Sequence, residues 1–217
     1  MRAKAATGNR TFTEVARRSQ IAQCAAEAIA ELGYADASMA EIARRAGIAK
    51  SVVSYHFADK AELMREVFRT ALEAYEAFMK PRVTTEVSAS AQLQAFLTGT
   101  AAYAVAHPAL HTAVIQIALN ATASDGTPLV ATLPLRAPEP AVEDILLKGQ
   151  RDGEFRDFDV AVVAGVVRSA VTHDMAMRQR ADPDADLTAY AEELVRLFDL
   201  GIRQQPGRKS SKENSQP

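Results

Sequence analysis

The chain has no tryptophan, a single cysteine and few aromatic residues, which make up 6% of its 217 positions. One thiol cannot close an intrachain disulfide, and Cys24, set among alanines, reads as a small packed residue rather than a redox centre. No apolar run approaches the length of a bilayer span, and the N-terminal MRAKAATGNR lacks the hydrophobic core of a signal, so the expectation is a cytoplasmic protein. Strand-like alternation is missing throughout. No nucleophile elbow, glycine-rich phosphate loop or paired acid stands in a convincing context, which argues against an enzyme. His107 and His111 are four apart, but Pro108 intervenes and no cysteine or carboxylate cluster completes a metal set. No metal or cofactor is expected, and the two histidines read as helix-end or cavity-lining residues. His173 and Asp174 are neighbours in sequence, so on a helix they point about 100° apart and cannot act as a base with its orienting carboxylate.

What the chain does have is 48% hydrophobic residues, with alanine and valine plentiful, a composition that favours helices. Its charge is unevenly spread. Residues 1–60 carry nine Lys/Arg against six Asp/Glu, and the rest carries 16 against 21. A basic first quarter on an acidic body suits a head that meets a polyanion.

The most informative stretch is residues 38–60, SMAEIARRAGIAKSVVSYHFADK. Ser38 with Glu41 three residues on is a capping box, and Met39, Ile42, Ala43 and Ala46 follow at helical spacing. Gly47 can adopt a left-handed conformation and reverse the chain, the turn a helix-turn-helix requires. A second short helix, from about Lys50 to His56, has Ile48 and Val53 as inward anchors and Phe57 to close it. Its other face carries Lys50, Ser51, Val52, Ser54, Tyr55 and His56, donors for phosphates and base edges plus a methyl-bearing side chain that suits thymine. Asp59 and Glu62 form another capping box, opening the next helix.

The remaining pattern is helical. A first helix spans 13–32, with Ile21, Ala25, Ala28, Ile29 and Leu32 on one stripe and Arg17 and Arg18 on the opposite face. A fourth runs over 59–79 and ends before Pro81. Others follow at 89–107, 108–121, 140–151, 160–180 and from Leu187 to about 203, with a loop over 124–140. Asp159 reads as an N-cap, and helix 160–180, apolar on most sides, is expected to be buried against another helix. Residues 1–10 read as a basic disordered arm or an untethered tail, and 204–217 as a disordered tail.

The run AxxGIAKSVVSYHFADKAEL resembles the DNA-binding domain of the tetracycline-repressor (TetR) family of bacterial transcription regulators, over roughly residues 11–71. Family members usually have serine where this chain has Ala49, commonly tyrosine at Ser54 and often glycine at Ser51. The resemblance implies an all-α fold of about nine helices: a three-helix DNA-binding head at 11–71, then a regulatory, ligand-binding and dimerisation body at 72–203. It further implies a homodimer on a palindromic operator, acting as a repressor released by a small, largely apolar effector, with no membrane association. Ser38, Met39, Lys50, Ser51, Val52, Ser54, Tyr55, His56 and Lys60 are the expected DNA contacts, with Tyr55, His56 and Lys60 on phosphates. Effector-lining candidates are Tyr75, Phe78, Phe96, Tyr103, His107, His111, Gln116, Asn120, Arg168, His173 and Met175, chosen because large apolar groups interleave there with a few polar ones. The last two helices are expected to form the dimer interface through Val163, Val167, Ala170, Leu187, Leu194, Leu197 and Phe198. The rival readings are a helical protein-binding adaptor without DNA specificity and, more distantly, an all-α enzyme.

Overall fold

The computed structural model describes residues 12–133 and 141–204. The expectations for the 1–10 arm, for Pro140 and for nearly all of the 204–217 tail lie outside those residues. Among the described residues there are nine α-helices and no strand: α1 Phe12–Leu32, α2 Met39–Arg45, α3 Lys50–His56, α4 Lys60–Thr84, α5 Ala89–Ala106, α6 Pro108–Asn120, α7 Val142–Arg151, α8 Val160–Ala181 and α9 Leu187–Ile202. The chain divides into two compact units, Met1–Leu72 with Thr112–Leu133, and Glu73–His111 with Pro134–Pro217.

In the first unit, α1 packs on α2 and α2 on α3. Ile21, Ala25, Ala28 and Ile29 of α1, Ile42 of α2, Val53 of α3, and Phe57, Leu63 and Val67 are fully buried. One assignment changes here. Arg18, expected beside Arg17 on the polar face, is only 5% exposed. It lies three and four residues before Ile21 and Ala22, and so on the apolar stripe itself. In the second segment of this unit, Asp125 accepts from the Thr127 amide (2.9 Å), and Gly126 (φ 84°) sits at the tip of the turn that the Asp-Gly pair predicts.

The second unit is built around α5, which packs on α7 and α9, while α7 packs on α8. Leu93, Leu97 and Ala101 of α5, Ile145 and Leu146 of α7, Ala164, Val167, Val171 and Met175 of α8, and Leu187, Ala191 and Leu194 of α9 share one core. Gly149 of α7 is needed for close approach: a Cβ there would lie 2.1 Å from the Phe155 ring. Glu154 caps α5, its carboxylate accepting from the amides of Ala89 and Ser90 at 2.9 Å each.

Helix α4 does not stop before Pro81 but runs on to Thr84. Met79 and Val83 are both buried in the core of the second unit, which draws the extra turn in. The Thr85 hydroxyl donates to the Pro81 carbonyl (3.0 Å) and the Glu86 amide to that of Val83 (3.3 Å), so two of the last turn's free acceptors are met. Helix α8 also differs from expectation. It is interrupted by a π turn at Ala170–Asp174, and Val162, Val166 and Met177 are more than half exposed. By length and composition α8 is apolar enough to cross a bilayer, contrary to the reading of the sequence, although it also supplies part of the core.

Candidate functional site

The helix-turn-helix follows from local chemistry. Ser38 Oγ accepts from the Glu41 amide (3.2 Å) and caps α2, leaving its own proton to donate outward. The expected return bond from Glu41 is not made. Its carboxylate binds Arg44 (2.7 and 2.8 Å) and Arg45 (2.8 Å), and those hydrogen bonds hold its pKa at about 2. At the turn, Gly47 has φ 65°, its amide donates to Arg44 O (3.2 Å) and the Ile48 amide donates to Ala43 O (3.0 Å). This is the Schellman pattern that closes a helix with a left-handed residue. Helix α3 then begins at Lys50 without a side-chain cap, because Ala49 has no acceptor.

Helix α3 is held from beneath by Val53 and Phe57, both fully buried, while Lys50, Ser51, Val52, Ser54 and Tyr55 are exposed, Tyr55 to 81%. His56 is partly buried. Burial pulls its imidazole below the usual pKa, opposed by Glu14, so near pH 7 it offers a neutral ring. Met39 is partly buried and Ser38 exposed. Lys60 departs from the expected arrangement: its ammonium is turned onto Tyr34, donating to the carbonyl oxygen (2.6 Å) and lying 4.3 Å from the ring centroid. Burial lowers its pKa, so this cation serves as an internal tie rather than part of the exposed face.

Arg18 is the residue that sequence reasoning placed wrongly and that organises the site. Its guanidinium donates to the His56 carbonyl at the exit of α3, pairs with Glu62 and Glu66 of α4 at 3.3 Å each, and lies 4.0 Å from the Phe57 ring centroid. Glu62 in turn accepts from the Ala58 amide (2.8 Å), while Asp59 caps the Glu62 amide (2.7 Å). The end of α3 and the start of α4 are therefore held on α1 by one forked cation.

Of the effector-lining candidates, four rings come together in the second unit. Tyr103 is 5.2 Å from Tyr75, 5.6 Å from Phe78 and 4.8 Å from His107, and Phe78 is 6.1 Å from His107. Tyr75 bonds to Thr100 Oγ1 (2.8 Å), and burial pushes the Tyr75 and Tyr103 phenols up to about 12. Phe96, His111 and Met175 are buried in the same unit. Arg168 and His173 are not brought to this cluster: both are exposed, and Arg168 pairs with Glu143 of α7. Gln116 and Asn120 belong to the other unit and bond to each other.

The interface positions shift as well. Val167, Ala170, Leu187 and Leu194 are buried within this chain, and Val163 and Phe198 are partly buried against the same core. Of the expected positions only Leu197 is largely exposed, at 58%, and it is joined by Val162, Val166, Met177 and Leu200.

An exposed, polar-faced α3 set after a glycine turn on two supporting helices defines a helix-turn-helix protein. Residues 21–67 match the family model of bacterial regulatory proteins, tetR family. The curated relatives include the HTH-type transcriptional regulator BetI of Ectopseudomonas mendocina (strain ymp), 38% identical over 85 residues, which cover 38% of this chain and 43% of the relative. BetI of Pectobacterium atrosepticum is 34% identical over 85 residues, 38% of this chain and 44% of that protein. The matches thus span less than half the length of these relatives. Among solved structures, the fold is similar to a tetR-family regulator from Rhodococcus RHA1 (TM-score 0.72, 18% identity, 87% of this chain and 97% of that one). It is also similar to FadR of Bacillus subtilis, solved with stearoyl-CoA (TM-score 0.70, 19% identity, 85% and 99%). Residues 21–67 are thus a helix-turn-helix segment of the tetR-family type.

Proposed function

We propose that the chain binds operator DNA through α3, as a two-fold homodimer, and that a small molecule held in the second unit releases it. The observation that carries the DNA reading is α3 itself, a helix anchored by Val53 and Phe57 whose outer face presents Lys50, Ser51, Val52, Ser54 and Tyr55. Lys50, Ser51 and Val52 face bases and Tyr55 a phosphate, with Ser38 donating from the start of α2. One such helix makes too few contacts for tight binding, so a dimer on a palindrome is required. The exposed apolar side chains Val162, Val166, Leu197 and Leu200 on the last two helices supply a surface for it. The ring cluster of Tyr75, Phe78, Tyr103 and His107 supports a largely apolar effector. Continuity of α4 from Lys60 to Thr84 gives a carrier for its effect on the head. Repression rather than activation, and a cytoplasmic setting, follow the habit of the family.

The test is to sequence the fragments of genomic DNA retained by the purified chain and measure their affinity by fluorescence anisotropy. A palindromic consensus bound at least a thousandfold more tightly than random DNA, with a stoichiometry of two chains per site, is expected. Equal affinity for random DNA refutes the reading.

A further inference from the structure

Helix α3 is short and lightly fastened. It has seven residues, fewer than a helix needs to stand alone in water, and Ala49 gives it no side-chain cap, so its position is imposed from outside. Its apolar anchors, Val53 and Phe57, are fully buried, but apolar contact is non-directional and does not by itself fix how the helix is turned. Direction enters at the exit of α3. The His56 carbonyl is one of the four that a helix leaves without an internal partner, and the Arg18 guanidinium donates to it from α1. The same group is held by Glu62 and Glu66 at 3.3 Å each, and these lie four residues apart on one face of α4. Its Cζ lies 4.0 Å from the centroid of the Phe57 ring. A guanidinium is planar and its N–H groups point in fixed directions, so one side chain sets α1, α3 and α4 against one another within the first unit.

Stability alone does not call for this arrangement. A buried ion pair can often be replaced by apolar side chains of similar size without loss of stability, and here Arg18 Nε is buried with no hydrogen-bond partner among the described residues. What an apolar side chain cannot supply is the bond to the His56 carbonyl. At 5% exposure Arg18 is out of reach of a phosphate, and it lies before the segment 21–67 that matches the family model, so the match gives it no role.

We propose that Arg18 is a positioning residue for DNA discrimination: it fixes the angle at which α3 presents Lys50, Ser51 and Val52 to the bases, without touching DNA itself. Base contacts are lost when their donors stray by about 0.5 Å, whereas the phosphate contacts that carry random binding tolerate the shift. The proposal rests on the reading of α3 as the base-contacting helix. The test measures the affinity of the full chain for the consensus retained from genomic DNA and for random DNA, by fluorescence anisotropy across a salt series, together with the urea midpoint of the first unit. Arg18→Met is expected to lower the ratio of consensus to random affinity about thirtyfold, the worth of one good base contact, and to leave the salt slope unchanged. Adding Glu66→Gln to Arg18→Met removes the stranded carboxylate. This double variant should recover most of the midpoint and none of the ratio, and it carries the test if the single variant does not fold. Ile29→Val, a change in the buried face of α1, should lower the midpoint and leave the ratio at its wild-type value. A ratio unchanged in the folded Arg18 variants, or one that recovers together with the midpoint, overturns the proposal. So does a salt slope lower by about one unit, the sign of a lost phosphate contact. If the wild-type chain binds consensus and random DNA alike, the reading of α3 falls; if it discriminates and the Arg18 variants do so equally, only the role of Arg18 falls.

Discussion

Replacing Arg18 by methionine keeps the apolar stem and removes the fork. Arg18 and Glu66 are 6% and 12% exposed at their side chains, so their pair counts as buried, whereas Glu62 is 36% exposed. Removing one partner of a buried pair costs about 3–5 kcal/mol, because the remaining charge is left without its counter-ion. Arg69, which pairs with Glu66 at 2.7 Å, offsets part of this. The Glu62 arm adds about 0.5 kcal/mol after screening by solvent. The lost donor to the His56 carbonyl contributes about 1–2 kcal/mol and overlaps with the rest. A net loss of about 4 kcal/mol is expected, which at a urea slope of about 2 kcal/mol/M lowers the midpoint of the first unit by about 2 M. The pH dependence has a definite sign. Burial pushes the Glu66 carboxyl up, but the Arg69 hydrogen bond and the Arg69 and Arg18 charges bring it below its ordinary value of 4.5. A carboxyl lowered on folding stabilises the fold above its unfolded pKa, and that contribution fades as pH falls through the folded one. The gap between wild type and Arg18→Met should therefore narrow below about pH 4.5. Urea unfolding by circular dichroism at pH 7 and pH 4, with hydrogen exchange at Phe57 to isolate the head, reads both effects. A midpoint shift under about 0.5 M at pH 7 refutes the reasoning.

Three other outcomes follow from the geometry. Ala49→Ser should add the missing N-cap of α3 and stabilise the head by about 1 kcal/mol in thermal unfolding; no gain would mean the α3 amides are already satisfied. Lys60→Ala should loosen the tie to Tyr34 while leaving the salt slope of random-DNA binding unchanged, and a slope lower by about one unit would restore Lys60 as a phosphate contact. Val166→Glu, on the exposed side of α8, should yield helical monomers in sedimentation, whereas Val167→Glu, fully buried next to it, should unfold the second unit; identical behaviour of the two would contradict the burial pattern.

The head was largely legible because its signals are local. Ser38, Gly47 and Asp59 each act within a few residues of themselves, and the bounds of α2 and α3 match those read from them. Long-range packing was not legible. Pro81 is a local prohibition, and burial of Met79 and Val83 outweighs it in a last turn that has few bonds to lose. Lys60 sits at a helix start, where its charge reads as outward, yet the carbonyl and ring of Tyr34, 26 residues earlier, take it inward. Helix α8 is apolar on most sides, so periodicity cannot say which valines meet their own core. Arg168, before the π turn, and His173, within it, both read as lining a cavity, face solvent, and the turn resets the phase of the residues after it. Arg18 is the instructive case, because its charge suggested a polar face while its spacing from Ile21 and Ala22 already placed it on the buried one.

The short segment after α7 fastens the start of α5 to the end of α9. Glu154 caps α5, its carbonyl accepts the Gln204 amide (2.8 Å), and the Arg156 amide donates to the Ile202 carbonyl (2.9 Å). These bonds cannot form until residue 204 has left the ribosome, whereas the segments of the first unit are all made by Leu133. At about 5–20 residues per second, the two events are separated by several seconds. During synthesis every segment of the first unit is thus available several seconds before the second unit can close, so the first can fold while its neighbour is still open.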